Sequence, residues 1–448
     1  MMALWRRIQD FITQLNIQHE TIWLAYSGGL DSHVLLQLFA RAKASNDSLR
    51  IAAIHVNHQL QDDASDWEHH CQKQCNALTI PLTICRVDAS TKERQSPEEA
   101  AREARYNAFS AQLKTGDILV TAHHANDQAE TVLLQLMRGA GAAGLSAMPE
   151  RRLFKGMQLH RPLLGFSRQV LYDYAVKHDL DWIEDPSNAE IDIRRNYVRH
   201  KIMPLLSEQW SHPERLIAQS SRNLADTQQS LDWFLDRALA DLLLASDVLA
   251  INALDSYSSN IQKHLIRRWY RRLGIPAPGA DKLCIIFNEV IDAKEDANPE
   301  LSGHGAVLHR SKGRLILSPE WPTLEVNTWV SSTALSCPAW NLTIKLVDEI
   351  DIGEISVRLA DPNTEIQLNN HPRRLKRLYK EKSVPVKFRS LLPAVYVADE
   401  LIYIPGIFQH QDFRTIEFCF DFKRLGADFD VTHPSAPSQP LLSVLGIE

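Results

Sequence analysis

Between Ile22 and about Ala125 the chain alternates short apolar runs with longer stretches of helical spacing. Thr21 to Leu24, Ile51 to Val56, Leu82 to Val87 and Asp117 to Ala122 are too short for buried helices and have strand character. Between them, His33 to Ala40 places leucines and a phenylalanine at the spacing of a buried helix. Ser96-Pro97-Glu98-Glu99 combines a serine cap, a first-turn proline and a glutamate in the capping-box position, a strong helix start. Met1 to Leu15 carries Leu4, Trp5, Ile8, Phe11, Ile12 and Leu15 on one face and reads as a packing helix. This alternation predicts an α/β fold: a parallel, Rossmann-like sheet with helices on both faces and ligands at the carboxyl ends of the strands.

After Gly144 the pattern turns irregular, and helical spacing dominates from about Leu216 to Ala297. Arg310 to Leu317 reads as a closing strand, and Ser318 to Trp340, rich in proline, tryptophan and serine, as a linker. Ile344 to Val357 and Ala394 to Ile404 have β character around the basic segment Arg373 to Arg389, and Thr432 to Gln439 reads as a loose tail. The expected domains are therefore a catalytic domain over 1–215, a mainly helical domain over 216–320, a linker over 321–345 and a small basic α+β domain over 346–448.

Length supports this division, since 448 residues exceed one ordinary core. No apolar run reaches the roughly 18 residues that span a bilayer, and six cysteines without a disulfide spacing fit a reducing cytoplasm. A net charge of −6 argues against indiscriminate nucleic-acid binding, DNA included, but leaves room for local basic patches.

Candidate chemistry begins at Ala25-Tyr26-Ser27-Gly28-Gly29-Leu30-Asp31-Ser32, between the first strand and the first long helix. Adjacent glycines admit a ligand close to backbone amides, and a helix N-terminus attracts anions. With Ser27 and Ser32 as hydroxyl donors the turn suits a phosphate; a plain helix cap is the alternative. Val56-Asn57-His58 and Thr121 to Thr131 close two further strands at the edge where such a sheet presents its crevice. Asp127 and Glu130 share a helical face there and suit a magnesium ion or the ammonium of an amine substrate.

Ser27-Gly28-Gly29-Leu30-Asp31-Ser32 after an apolar strand resembles the pyrophosphate-binding loop of the PP-loop ATP pyrophosphatases. The resemblance implies that these residues bind ATP, which is split into AMP and pyrophosphate, and that Asp31 helps to hold Mg2+. A narrower resemblance lies in His123-His124-Ala125-Asn126-Asp127-Gln128-Ala129-Glu130-Thr131, Arg161-Pro162-Leu163-Leu164, Glu184-Asp185-Pro186-Ser187-Asn188 and Arg195-Asn196-Tyr197-Val198-Arg199, in that order. These are similar to the tRNA(Ile)-lysidine synthetases. That family implies ligation of free L-lysine to C2 of the wobble cytidine in the CAU anticodon of tRNA(Ile), through an adenylated cytidine, changing the codon read from AUG to AUA. It also implies catalytic roles for Asp31, His124, Asp127 and Glu130, with Asp31 and Asp127 at magnesium or the amine, His124 near the reacting phosphate and Glu130 on the lysine ammonium. Asn196 and Arg199 become tRNA candidates.

Two positions depart from the family pattern. Asn126 stands where an aspartate is usual, and Gln59 where a glycine is usual, so a glutamine there must tolerate positive φ. Gly139 to Gly144 matches a dinucleotide fingerprint but follows a helix, not a strand. His69, His70, Cys71 and Cys75 invite a zinc reading, yet Trp67, Cys71, Cys75 and Leu78 form a helical stripe that suits a core.

Basic clusters point to RNA: Arg194, Arg195, Arg199 and Lys201; Arg267, Arg268, Arg271 and Arg272 around Trp269 and Tyr270; and Arg373 to Arg389, with Arg374 and Lys376 as its tRNA candidates. The alternatives are a PP-loop tRNA thiolase, which typically uses paired cysteines that no Cys-x-x-Cys supplies here, and an RNA-binding protein with a relic loop. The expectation is a cytoplasmic ligase without a membrane partner. Its oligomeric state is left open, a homodimer included.

Overall fold

The structure is a computed structural model that describes residues 2–15, 20–59, 64–88, 97–154, 157–294, 297, 299–303, 305–320, 327–328, 334–336, 340–346, 355–368, 371–382, 384, 389, 392–413 and 416–422. The chain divides into two compact units, Met1–Ser230 and Leu231–Glu448.

The first unit runs α1 (Met2–Gln14), β1 (Ile22–Ala25), α2 (Leu30–Ser45), β2 (Ile51–Asn57), α3 (Ala64–Ala77), β3 (Leu82–Arg86), α4 (Pro97–Gln112), β4 (Ile118–Val120) and α5 (Ala125–Leu136). A short α6 (Ala142–Leu145) precedes the hairpin β5 (Arg151–Phe154) and β6 (Met157–His160), then α7 (Arg168–Lys177). Helix α8 (Arg194–Tyr197) continues through a π-helical turn, Val198–Ile202, into α9 (Met203–Gln209). Helix α10 (Pro213–Leu242) begins in this unit and ends in the next.

Strand order is β3-β2-β1-β4-β6-β5, parallel except for β5. Strand alternation sets the two faces. Ile22 and Leu24 join Leu4, Val34, Cys71 and Leu171 in one core, under α1, α2, α3 and α7. Trp23 and Ala25 face the other way, toward Tyr106 and Phe109 of α4. Cys71 and Cys75 are wholly buried in the first core, as their helical stripe implies. The order reverses between β1 and β4, so the turns after these two strands flank the crevice at the switch point. All four expected strands form. The β5–β6 hairpin falls in the stretch read as irregular, because four-residue strands are too short for a period to register.

In the second unit, β7 (Leu243–Ala245), β8 (Val248–Ala250), β9 (Glu300–Gly303), β10 (Ala306–Ser311) and β11 (Arg314–Pro319) form an antiparallel sheet. Its core is shared with α11 (Ile251–Leu254), α12 (Ser259–Arg272) and α13 (Ala280–Ile285) through Leu249, Leu254, Leu265, Trp269 and Leu283. Helices therefore share 216–320 with a sheet. Arg310 to Leu317, expected as one strand, contains a hairpin turn at Lys312 and Gly313, both at positive φ (47° and 70°), the geometry of a type I′ turn.

The C-terminal part contributes β12 (Asn327–Thr328), β13 (Ala334–Ser336), β14 (Trp340–Leu346), β15 (Ile355–Arg358), β16 (Glu365–Leu368), β17 (His371–Arg374), α14 (Leu375–Glu381), β18 (Ala394–Val397), β19 (Glu400–Ile404), β20 (Phe408–Gln409) and β21 (Ile416–Phe422). These form the sheets β12-β15-β18-β19-β20 and β13-β14-β21 and the hairpin β16-β17. Where 321–345 is described it forms strands; the tail Thr432 to Gln439 lies outside the described residues. No helix among the described residues is long and apolar enough to cross a membrane.

Candidate active site

The turn from β1 into α2 is a tight, self-bonded cradle. Ser32 Oγ donates to the Gly29 carbonyl at 2.9 Å, lies 3.1 Å from Ser27 Oγ and accepts from the Ser27 amide at 3.2 Å. Gly28 has φ +85°, and a Cβ there would lie 2.8 Å from Ile183 Cδ1 and 3.0 Å from Cys71 Sγ. Only glycine fits, on both backbone and space. Gly29, with φ −75° and ψ 163°, caps α2 without a side-chain acceptor for the helix's first amides, which suits them to an anion.

Across the switch point, His124 caps α5 in a reciprocal box. Its backbone amide donates to Asp127 Oδ2 at 3.0 Å, and the Asp127 amide donates to His124 Nδ1 at 3.4 Å. His124 Nε2 reaches Asp31 Oδ2 at 3.3 Å, tying this cap to the phosphate loop. Asp127 Oδ1 faces Arg195 Nη2 at 3.1 Å and Arg199 Nη2 at 3.5 Å. Glu130, 1% exposed, accepts from Arg195 Nε at 2.9 Å and from Arg199 Nε and Nη2 at 2.7 and 3.0 Å. One continuous chain of charges thus runs from Asp31 through His124 and Asp127 to Arg195 and Arg199, which join it to Glu130.

The charges reinforce one another. Burial alone would lower the His124 pKa, but Asp127, Asp31 and Glu130 together raise it. Burial would raise Asp127; His124, His123 and Arg195 instead hold it well below the usual carboxylate range. His123, its Nδ1 2.7 Å from Thr121 Oγ1, is brought down to about 3 by burial, with Arg161, Arg195 and Arg102 adding against the pull of Asp127. His58 falls to about 4, by burial and then by Arg105 and His55. Among the described residues, Asp31 Oδ1, His58 Nδ1 and Arg161 Nε are buried without a hydrogen-bond partner, and all three residues follow strands at this same edge. Unsatisfied buried polar atoms are costly and concentrate at sites that meet a ligand.

The structure brings Ser27, Asp31, Ser32, His124, Asp127 and Glu130 together. It places other expected residues differently. Asn196, 7% exposed, spends its amide on the Ser187 and Glu190 carbonyls at 2.9 and 3.0 Å, and the half-buried Arg199 pairs with Glu130 and Asp127. Glu130, expected on a lysine ammonium, holds two guanidiniums here. The cluster around Trp269 is also changed: Arg268 and Arg271 pair with Asp232, and Arg268 and Arg272 with Asp236, while both aromatics are buried. Arg374 and Lys376 are exposed at the end of β17 and the start of α14.

Arg195 and His123 were visible only as members of motifs. For Arg195 the signal is spacing: arginines four apart match acids three apart, each pair on one helical face. Both departures from the family pattern are accommodated. Gln59 takes φ 54°, with its amide donating to Asn57 Oδ1 at 2.7 Å, and Asn126 Oδ1 accepts from the Arg168 amide at 2.9 Å, where an aspartate would serve equally.

The PP-loop domain matches residues 2–206, the TilS substrate binding domain 249–316 and the TilS substrate C-terminal domain 355–417. A tRNA(Ile)-lysidine synthase from Coxiella burnetii is 36% identical over 413 residues, 89% of this chain and 91% of that one. The chain belongs to the tRNA(Ile)-lysidine synthase family. Another such synthase, from Pectobacterium atrosepticum, is 38% identical over 87% of this chain and 90% of its own. A solved U34-tRNA thiolase from Methanococcus maripaludis is similar at 17% identity and a TM-score of 0.43 over 50% of this chain and 78% of that one, too distant to bear on function. The PP-loop domain implies that this synthase-family chain uses ATP.

Proposed function

We propose that this protein makes lysidine at the wobble cytidine of a CAU-anticodon tRNA(Ile). The cytidine C2 oxygen attacks the α-phosphate of ATP and pyrophosphate leaves; the ε-amine of lysine then attacks C2, loses a proton, and AMP leaves with the oxygen. AMP is a far better leaving group than the amide-like oxygen it carries away. The observation that carries the reading is the charge chain joining the phosphate loop, through Asp31 and His124, to Asp127 and Glu130. It sets a phosphate cradle beside carboxylates suited to an ammonium, and fixed positions and charges supply most of such a rate.

Asp31 fits a magnesium ion: Oδ1 is a buried, unpartnered hard donor beside the cradle, and this metal commonly takes one carboxylate plus substrate phosphates. Asp127 fits less well, because both of its oxygens already accept from protein groups. Bound there, magnesium would neutralise polyphosphate charge. His124, its pKa raised by Asp127, Asp31 and Glu130 against the effect of burial, would add positive charge next to the cradle in its protonated form. The lysine ammonium matches in charge the guanidinium it would displace from Glu130. Arg374 and Lys376 are the proposed C-terminal contacts to tRNA phosphates, in a cytoplasmic enzyme whose subunits act singly or as a homodimer.

Asp31→Ala tests the site. It should abolish tRNA-dependent pyrophosphate release and leave tRNA binding nearly intact; full activity would remove Asp31 from the mechanism.

A further inference from the structure

A second route joins the phosphate loop to the arginine pair, and it passes through Asn196. At the loop end, the Ile183 amide donates to the Gly28 carbonyl at 3.0 Å, and Ile183 Cδ1 fills the space that a Cβ on Gly28 would need. The following segment is hydrogen-bonded within itself and to the helix after it. Asp185 Oδ1 accepts from the Ser187 amide at 2.9 Å and from its hydroxyl at 2.7 Å, capping the 3-10 turn Pro186–Ala189. Asn196 then donates to the Ser187 and Glu190 carbonyls, and His200 Nε2 sits 2.8 Å from the Asn188 carbonyl.

Asn196 and Arg195 are neighbours on one short helix, and they reach in different directions. Asn196 grips the 183–190 segment, whereas Arg195, with Arg199 below it, grips Glu130 and Asp127. A helical turn is rigid in register, so a shift of one side chain's anchor carries the other with it. The two ends of this strut are the cradle backbone at Gly28 and the buried Glu130 carboxylate, the groups assigned above to nucleotide and amine. The amide's two bonds to main-chain carbonyls are the joint between them.

We propose that Asn196 is a positioning residue that couples the phosphate loop to the Arg195–Arg199 pair, so that nucleotide and amine substrate bind with linked affinities. Filling the cradle sets Gly28 and Ile183; the segment 183–190 transmits that setting to Asn196; and the helix sets how tightly the guanidiniums hold Glu130. Linkage requires that the amine in turn tighten or loosen nucleotide by the same factor. The amine half rests on the function proposed above; the strut itself does not.

The test is hydrogen–deuterium exchange on the full chain with the magnesium complex of an ATP analogue bridged by methylene between its α- and β-phosphates. In the wild-type protein the analogue should slow exchange over both 183–190 and 194–202. In Asn196→Asp, isosteric but without the two donors, protection should stop at 190. Absence of protection over 194–202 in the wild type overturns the proposal, even if the variant fails to fold, and so does equal protection in a folded variant. Lysine titrations supply the second readout: saturating analogue should change the wild-type Kd by about fivefold or more, and the Asn196→Asp factor should collapse toward one. Equal factors in the two proteins overturn the coupling. If lysine does not bind the wild type while 194–202 still responds to nucleotide, the strut stands and the proposed amine substrate falls.

Discussion

Glu130→Gln isolates the charge of the buried acid without opening a cavity. Glutamine keeps the size of the side chain but offers one acceptor and an amide that turns N–H groups toward two guanidiniums. Breaking a buried ion pair from one side costs about 3 to 5 kcal/mol. Arg195 and Arg199 are 24% and 30% exposed, and Asp127 still faces both at 3.1 and 3.5 Å, so water and the second acid recover part of the loss. The lower end applies, about 3 kcal/mol. For a unit the size of Met1–Ser230 each kcal/mol moves the midpoint by roughly 2 to 4 °C. Calorimetry should therefore place the first unit's transition about 6 to 12 °C lower. The cycle with Arg199→Gln adds the decisive sign: the double variant should lose less than the sum of the singles, since each single strands a charge that the double removes. A shift under about 2 °C, or strict additivity, would show that Glu130 is not the buried anchor of this pair.

Gly28→Ala meets both a disallowed φ and two close neighbours, so pyrophosphate release should fall by at least about tenfold; unchanged release would mean that the cradle tolerates a Cβ. His124 has its pKa raised on folding, so its proton contributes stability that is complete below the ordinary imidazole value and is lost as pH rises through the folded value. His124→Asn keeps a capping acceptor, and its midpoint should converge on the wild type's as pH rises above neutrality; parallel curves between about pH 6 and 9 would contradict the ion pairing. Charge reversal of Arg374 and Lys376 should weaken tRNA binding and flatten its salt dependence, whereas Arg268→Ala, removing a guanidinium already paired with Asp232 and Asp236, should lower the second unit's melting point and leave the salt slope unchanged. The reverse pattern in filter binding would exchange the two assignments.

Local signals in the chain were legible where one short stretch decides the outcome. The helix-start signal read at Ser96-Pro97 agrees with α4 running from Pro97, the apolar run at Ile51 becomes β2, and the glycine pair with Asp31 becomes the cradle. What escaped reading depends on distant partners. Arg195 and Glu130 lie 65 positions apart and Arg268 and Asp236 32 apart, so nothing local told a solvated basic cluster from a paired one. Composition could not divide the arginines either: those beside Trp269 and those near Arg374 look alike in sequence, and both clusters meet acids, but the pairs with Asp232 and Asp236 on α10 are half-buried whereas Arg373–Glu381 and Arg377–Glu381 are exposed. The β5–β6 and β10–β11 hairpins were hidden by strand length and by a turn embedded in an apolar run.

In the proposed function, ATP cleavage serves lysine transfer to one base of one tRNA. Incubating the full chain with ATP, magnesium and lysine, and following AMP, pyrophosphate and the wobble nucleoside by mass spectrometry, tests it directly. With a CAU-anticodon tRNA(Ile), one AMP and one pyrophosphate should form for each cytidine that gains lysine less water, and neither should form with the methionine CAU tRNA. AMP release without tRNA, or a wobble cytidine unchanged while ATP is consumed, would contradict it.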